Sequence, residues 1–316
     1  MELFVQILLL IGGLALIVFG ADYLVEGASD IARRFGLSEF VIGLTIVGMG
    51  TSAPEMVVSI IGAIGGNADV AIGNVLGSNI FNTLLILGLT AIILPIGITV
   101  SNRRRDIPIG LLATLVFVFL GFSHSIFRLG SDGLNRIDGA VMLALFIVYL
   151  WFSIRGGRNA EAVGEAAAPE RKLWVCILMV AASLAALIIG GRLFVDSATH
   201  IARMAGVSDK FIAVTVLAGG TSFPELATCI AAAIKKKGQL ALGNIVGSNV
   251  FNLLLIVGCS ALINPLSFDD IDVVDVAVLI LSSALLLFCG RKFGRVWGGV
   301  FVLMFIAYLA YLIIQL

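Results

Sequence analysis

Long apolar runs, separated by short polar breaks, make up nearly the whole of this 316-residue sequence. A bilayer core about 30 Å thick needs roughly 20 apolar residues for each helical crossing. Because 60% of the residues are apolar and only 13% are charged, the chain lies far outside the range of soluble globular proteins. The sequence therefore predicts an all-α integral membrane protein with no sizeable soluble domain.

The polar breaks divide the chain into ten predicted crossings, numbered in chain order. They lie near residues 3–32, 38–64, 70–95, 106–123, 137–154, 173–202, 208–234, 239–263, 273–290 and 296–315. Residues 156–172 are polar and rich in Ala, Gly and Glu, which is typical of a linker. We expect a first unit of five crossings over 1–155, a cytoplasmic linker, and a second unit of five crossings over 173–316.

Basic residues are unevenly divided among the nine connections that join the crossings. The odd-numbered connections hold 15 Lys and Arg residues, whereas the even-numbered connections hold four. By the positive-inside rule, the odd-numbered connections are predicted to be cytoplasmic. Both termini of this multi-pass protein are then expected outside.

The second unit repeats the first at a constant offset, which is the interval between Glu55 and Glu225. The segment Gly50-Thr-Ser-Ala-Pro-Glu55 recurs as Gly220-Thr-Ser-Phe-Pro-Glu225, and the Gly-Asn-x-x-Gly-Ser-Asn-x-Phe-Asn segment that ends at Asn82 recurs ending at Asn252. Since each unit has an odd number of crossings, the two units must be inverted in the membrane. Inverted repeats with interrupted helices are typical of secondary transporters with a midplane site. We expect crossings 2, 3, 7 and 8 to be interrupted around such a site.

Glu55 and Glu225 lie well inside apolar runs. A charge near the centre of a membrane helix costs roughly 2.5–3.5 kcal/mol. No basic residue lies at membrane depth in crossings 2, 3, 7 and 8 to compensate for them. The two glutamates are therefore either protonated or neutralised by a bound cation.

The residues around each glutamate favour a cation. Thr51 and Ser52 precede Glu55 by four and three residues, so a helix would place all three on one face. Pro54 has no N–H, which frees the carbonyl four residues before it. The second unit repeats the arrangement with Thr221, Ser222 and Pro224.

The second repeated motif adds neutral oxygen atoms. Asn74, Ser78 and Asn82 are spaced by four residues and form one polar stripe on a helix. The matching stripe consists of Asn244, Ser248 and Asn252. Asn79 and Asn249 lie off these stripes, where we expect them to brace interrupted backbone. Carboxylate, amide, hydroxyl and carbonyl oxygens without His or Cys suit hard cations such as Na⁺ and Ca²⁺, although helix packing alone also uses such small polar residues.

Both motif pairs resemble the two alpha-repeats of the cation/calcium exchanger superfamily, in particular the sodium/calcium exchangers of prokaryotic type. The resemblance covers both units of the chain. It implies ten helices with both termini outside, in the plasma (inner) membrane of a prokaryote. It also implies alternating access, in which crossings 1 and 6 slide across a static core that holds the ions.

The resemblance further implies which residues bind the ions. Glu55 and Glu225 would ligate both Ca²⁺ and Na⁺. The carbonyls of Thr51 and Thr221 would complete the calcium site. Flanking sodium sites would be lined by Ser52, Ser78, Ser222 and Ser248 and by the carbonyls of Gly48 and Ala218. Asn82 and Asn252 would lie at the border of the central site. Some family members, including the potassium-dependent branch, carry Asp where Asn252 stands, so the amide argues against potassium dependence.

The sequence thus predicts an electrogenic antiporter that exchanges Na⁺ for Ca²⁺ and is not an enzyme. Its expected partners are the lipid bilayer and the two transported ions; we expect no cofactor, no nucleic acid and no obligate protein partner. A Ca²⁺/H⁺ exchanger stays open, because a buried glutamate can trade a proton for a metal. A cation channel is a further alternative. An intramembrane enzyme is disfavoured, since the sequence has no His-Glu-x-x-His motif.

Overall fold

The computed structural model describes residues 2–123, 132–157, 171–206, 218–268 and 271–315, which are mostly helical. The α-helices are Glu2–Phe35, Glu39–Ile42, Gly48–Thr51, Ala53–Ile64, Ala68–Ile80, Leu87–Ile93, Ile107–Gly121, Arg136–Gly157, Leu173–Met204, Ala218–Gly220, Phe223–Ile234, Gly238–Val250, Val257–Ile263, Val273–Leu285 and Arg295–Gln315. The π-helical segments are Gly43–Val47, Phe81–Ile86, Asn102–Asp106 and Phe251–Ile256, and Leu286–Phe288 is a 3₁₀ turn. The strands are β1 (Ile96–Gly97), β2 (Gly133–Leu134), β3 (Leu266–Ser267) and β4 (Lys292–Phe293).

Ten apolar helical segments in the described ranges correspond to the ten predicted crossings. Crossings 1, 3, 5, 6, 8 and 10 are each long and apolar enough to span a membrane, and crossing 2 qualifies as a bent pair of helices. Crossings 4, 7 and 9 have shorter described helices. Residues 208–217 of predicted crossing 7 and 158–170 of the predicted linker lie outside the described residues. The prediction of an all-α membrane bundle is confirmed.

Crossings 1 and 6 are the longest helices of the described chain, with 34 and 32 residues. At 1.5 Å per residue they measure about 50 Å, well beyond the apolar core of a bilayer. They pack against each other at Gly13 and Gly190, where a Cβ on either glycine would lie 2.8 Å from the other's carbonyl oxygen. Small residues of this kind let two helix backbones approach closely. The two longest helices therefore form one closely packed pair.

Local structure repeats at the same offset as the sequence. The helix Ala53–Ile64 of crossing 2 matches Phe223–Ile234 of crossing 7. Crossings 3 and 8 each contain a π-helical segment at matching positions, Phe81–Ile86 and Phe251–Ile256. The interruption predicted for crossings 3 and 8 thus takes the form of a π-helical segment within a continuous helix, a form often found at functional sites.

Two small antiparallel sheets link the connections. One sheet joins two odd-numbered connections, and the other joins two even-numbered connections. β1 lies in connection 3 and pairs with β4 in connection 9, whereas β2 lies in connection 4 and pairs with β3 in connection 8. β1 and β3 hold matching positions in the two units, yet one pairs with an odd-numbered connection and the other with an even-numbered one. The two units are therefore inverted relative to each other, as their odd number of crossings requires.

Ion pairs also join odd-numbered connections to one end of crossing 1. Lys235 in connection 7 has its Nζ 2.7 Å from carboxylate oxygens of both Asp22 and Glu26. Arg171 in connection 5 pairs with Glu26 at 3.0 Å and with Asp30 at 2.9 Å. Burial by itself would lower the pKa of Lys235, but its hydrogen bonds to Asp22 and Glu26 raise it. Connections 5 and 7 thus lie at the same end of crossing 1, and the cytoplasmic location of the odd-numbered connections stays a prediction.

Chemical labelling tests which end faces outward. Asp69 lies in connection 2 and Arg104 in connection 3, at opposite ends of crossing 3, and both are exposed. We expect Asp69→Cys to react with a membrane-impermeant maleimide in intact cells and Arg104→Cys to react only after permeabilisation. The unsubstituted chain, whose four cysteines are buried or partly buried, is the control. The reverse labelling pattern would place the odd-numbered connections outside.

Candidate functional site

Crossing 2 is broken beside its glutamate. One helix stops at Thr51 and the next begins at Ala53, with a bend of 48° between them. Pro54 occupies the first turn of the new helix, where its missing N–H costs nothing. Glu55 follows in the same turn, close to a helix N-terminus whose partial positive charge stabilises a carboxylate. The proline, predicted from the sequence to free a carbonyl, thus also starts the helix that carries the glutamate.

Crossing 7 repeats this break in the second unit. Its described part begins with the short helix Ala218–Gly220 and restarts as Phe223–Ile234 after two residues. Pro224 and Glu225 lie in the first turn of the restarted helix. The interruptions predicted for crossings 2 and 7 are therefore present, and each presents its glutamate at the start of a helix.

The two breaks face each other and exchange hydrogen bonds. Ser52 donates its hydroxyl to Oε1 of Glu225 at 2.9 Å, and Ser222 donates to Oε1 of Glu55 at 3.0 Å. Ser78 of crossing 3 also donates to Oε1 of Glu55, at 3.4 Å. All five side chains are buried. Each glutamate is thus held by a serine of the opposite unit, which brings the two carboxylates into one site.

Four acceptor oxygens of the repeated motifs are buried and have no hydrogen-bond partner among the described residues. They are Oε2 of Glu55, Oε2 of Glu225, Oδ1 of Asn82 and Oδ1 of Asn252. Burying a polar group without a partner is costly, and buried polar groups in native proteins are almost always paired. The set contains one oxygen from each of the four repeated motif segments and carries two carboxylate charges. It has the chemistry of a site for a hard cation.

Other predicted residues make hydrogen bonds around this centre. Thr51 donates to the Val47 carbonyl at 3.0 Å, and its Oγ1 lies 3.3 Å from Oδ1 of Asn244. Ser248 donates to the Gly48 carbonyl at 3.2 Å, which links crossing 8 to crossing 2. These contacts place the predicted residues of one unit against those of the other.

Two predicted ligands lie at the edge of the described region. Thr221 is partly exposed in the break of crossing 7. Ala218 is the first described residue of that crossing, and the residues that precede it, 207–217, lie outside the described ranges. The role of the Ala218 carbonyl at a sodium site therefore stays a prediction.

One pair of polar contacts involves residues that the motifs do not include. Asn74 donates its amide to Ser59 Oγ at 3.0 Å, and Asn244 donates to Cys229 Sγ at 3.3 Å. Ser59 and Cys229 hold matching positions in the two units, each one helical turn after its glutamate. The constant offset between the units is therefore the sequence signal by which this pair of positions could have been found. Asn74 and Asn244, although part of the predicted polar stripes, use their amide N–H groups to join neighbouring helices.

The chain is similar to known membrane proteins over nearly its whole length. The family model described as sodium/calcium exchanger protein matches residues 5–155 and 175–314. Inner membrane protein YrbG of Escherichia coli strain K12 is 37% identical, over 96% of this chain and 95% of its own. Sodium/calcium exchanger MaX1 of Methanosarcina acetivorans is 32% identical, over 98% of both chains. A solved structure of the sodium-calcium exchanger NCX_Mj, soaked with Na⁺ and Sr²⁺, matches with a TM-score of 0.85 at 34% identity and covers 98% of both chains.

Cation-dependent thermal stability tests the site directly. A ligand present at 100 times its dissociation constant stabilises the folded state by about 2.7 kcal/mol. We expect Ca²⁺ to raise the melting temperature of the purified protein, and Glu55→Gln or Glu225→Gln to remove that rise, because each removes a carboxylate charge. Asp69→Asn, at an exposed carboxylate outside the site, should keep it. An undiminished rise in both glutamine variants would show that Ca²⁺ binds elsewhere.

Proposed function

Since this chain belongs to the sodium/calcium exchanger family, we propose that it exchanges Na⁺ for Ca²⁺ across the membrane as an electrogenic antiporter that works by alternating access. The observation that carries this proposal is the set of four buried acceptor oxygens without partners, on Glu55, Glu225, Asn82 and Asn252. Their two carboxylate charges match one Ca²⁺. The ion pairs of the described residues include none with either glutamate.

Shared ligands provide the coupling between the two ions. A Ca²⁺ bound between Glu55 and Glu225 occupies the oxygens that Na⁺ would use, so the two ions compete for one site. Differential binding to the two states of the carrier then links their movements. Two Na⁺ balance the two glutamates, and a third bound among the hydroxyls of Ser52, Ser78 and Ser222 would make the exchange electrogenic.

Alternating access requires a state in which the ions are closed off from both sides. The side chains of Glu55, Glu225, Asn82 and Asn252 have no exposed surface, which fits such an occluded state. Crossing 1 borders crossing 7 along an apolar cavity of about 420 Å³ that is lined by side chains such as Ile17 and Leu226. Apolar contacts break no hydrogen bonds when one helix moves along another, so movement of crossing 1 past crossing 7 would have to exchange polar contacts mainly at one end, where Lys235 pairs with Asp22 and Glu26. This supports movement of crossings 1 and 6 across the remaining helices.

The amide at position 252 supports independence from K⁺. With Asn252 the four central oxygens carry two negative charges, which one Ca²⁺ balances. An aspartate at this position would add a third negative charge, which a further monovalent cation could balance. We therefore assign no role to K⁺ in the transport cycle. The orientation follows from the charge of the connections, with the odd-numbered end in the cytoplasm of a prokaryotic cell.

Ca²⁺/H⁺ exchange is the second candidate. The observation in its favour is that both carboxylates are fully buried and have hydroxyl donors but no basic partner among the described residues, so each could hold a proton in place of a metal. A pH gradient imposed without Na⁺ distinguishes the two functions, because it drives Ca²⁺ movement only in a proton-coupled carrier.

Flux measurements in proteoliposomes test the proposal. We expect ⁴⁵Ca²⁺ uptake when Na⁺-loaded vesicles are diluted into Na⁺-free medium, and Glu55→Gln or Glu225→Gln should each abolish it by removing a charge shared by both ions. Asp69→Asn should transport normally. A membrane potential that is positive inside should accelerate the uptake, because three Na⁺ leaving for each Ca²⁺ carry one net positive charge outward. An uptake rate indifferent to the potential would contradict electrogenic exchange.

A second flux measurement tests the dependence on K⁺. We expect the rate of Na⁺-driven uptake to be the same whether K⁺ or choline balances the medium at a clamped membrane potential. Several-fold stimulation by K⁺ would contradict the role given to Asn252. Uptake driven by a pH step and indifferent to Na⁺ would instead identify a Ca²⁺/H⁺ exchanger.

A further inference from the structure

Asn79 and Asn249 are hydrogen-bonded to the two asparagines that we place at the central site. They are matching residues, each directly after the serine of its polar stripe. Asn82 donates its Nδ2 to Oδ1 of Asn249 at 3.2 Å, and Asn252 donates its Nδ2 to Oδ1 of Asn79 at 2.9 Å. The two contacts are related by the offset between the units, and each joins one unit to the other.

These contacts fix the orientation of the side-chain amides of Asn82 and Asn252. An asparagine side chain has one carbonyl oxygen, which accepts, and one NH₂ group, which donates. Because the NH₂ groups of Asn82 and Asn252 are taken up by Asn249 and Asn79, their Oδ1 atoms point elsewhere. Those two atoms are members of the buried, unpartnered set. If either amide turned over, it would present a donor to a cation in place of an acceptor.

Asn79 and Asn249 are themselves fixed, but by different groups. Asn79 donates to the backbone carbonyl of Asn249 at 3.1 Å, whereas Asn249 donates to the Thr83 hydroxyl at 2.7 Å. The residue that matches Thr83 in the second unit is Leu253, which has no polar group in its side chain. The Asn249–Asn82 contact therefore depends on one side-chain hydroxyl, and a small substitution can disturb it alone.

We propose that Asn79 and Asn249 are positioning residues, which hold the amides of Asn252 and Asn82 with their carbonyl oxygens toward the transported cation. The inference rests on the proposed function, because it concerns ligands of the same ions. Residues that orient metal ligands typically change metal affinity by about 10- to 100-fold when they are removed. The alternative is that both asparagines serve only to pack crossing 3 against crossing 8.

A double-mutant cycle separates positioning from packing. A carboxylate presents an oxygen whichever way it turns, so Asn82→Asp needs no partner to orient it. We expect Asn249→Leu to raise the Ca²⁺ dissociation constant of the full-length protein by about tenfold or more, and to raise it little when Asn82→Asp is also present. The mirror pair, Asn79→Leu with Asn252→Asp, should behave in the same way. Calorimetric titration of Ca²⁺ into purified protein measures all the constants.

Equal loss in both backgrounds would overturn the proposal in favour of packing, and no loss in either would also overturn it. Thr83→Val serves where the leucine variants fail to fold, since it keeps the side-chain volume and removes only the hydroxyl that fixes Asn249. It should weaken Ca²⁺ binding, and Asn82→Asp should suppress that effect; an unchanged dissociation constant would count against the proposal. Absence of saturable Ca²⁺ binding by the unsubstituted protein would instead refute the proposed function.

Discussion

Two carboxylates buried in a membrane protein without a basic partner among the described residues are the constraint on which the rest of this structure depends. A helix N-terminus and a serine hydroxyl stabilise each of them, yet one oxygen of each glutamate stays unpaired within the described ranges. Hydrogen bonds to neutral donors reduce the cost of a buried charge but leave the charge itself. The break at each proline, the facing serines and the adjacent asparagines are all explained if they form the cation site that we propose.

Duplication with inversion meets this constraint economically. The same short helix restart, used once in each unit, places two glutamates opposite each other, and the serine beside each break reaches the carboxylate of the other unit. Neither unit contains a complete set of oxygens. The proposed site therefore forms only when both units are packed together.

Much of this could be predicted from the sequence, because hydropathy, loop charge and the constant offset between the units can all be read along the chain. The ten crossings, the inversion and the breaks beside Glu55 and Glu225 follow from them. The π-helical segments in crossings 3 and 8 do not, since the spacing of polar and apolar residues there fits an α-helix equally well. The partners of Asn79 and Asn249 were also beyond prediction, because hydrogen bonds between distant units depend on the relative placement of whole helices. The roles of the individual residues as ion ligands stay predictions.

The contact between Gly13 and Gly190 has a mechanical consequence for a carrier of this design. Two helices whose backbones touch cannot rotate or slide past each other freely, so we expect crossing 1 and crossing 6 to move together as one body in the proposed cycle. Because one belongs to each inverted unit, the proposed mechanism assigns them to opposite entrances of the ion site. In the proposed cycle, a joint displacement that opens one entrance would close the other at the same time, so no state open at both ends would let ions leak down their gradients.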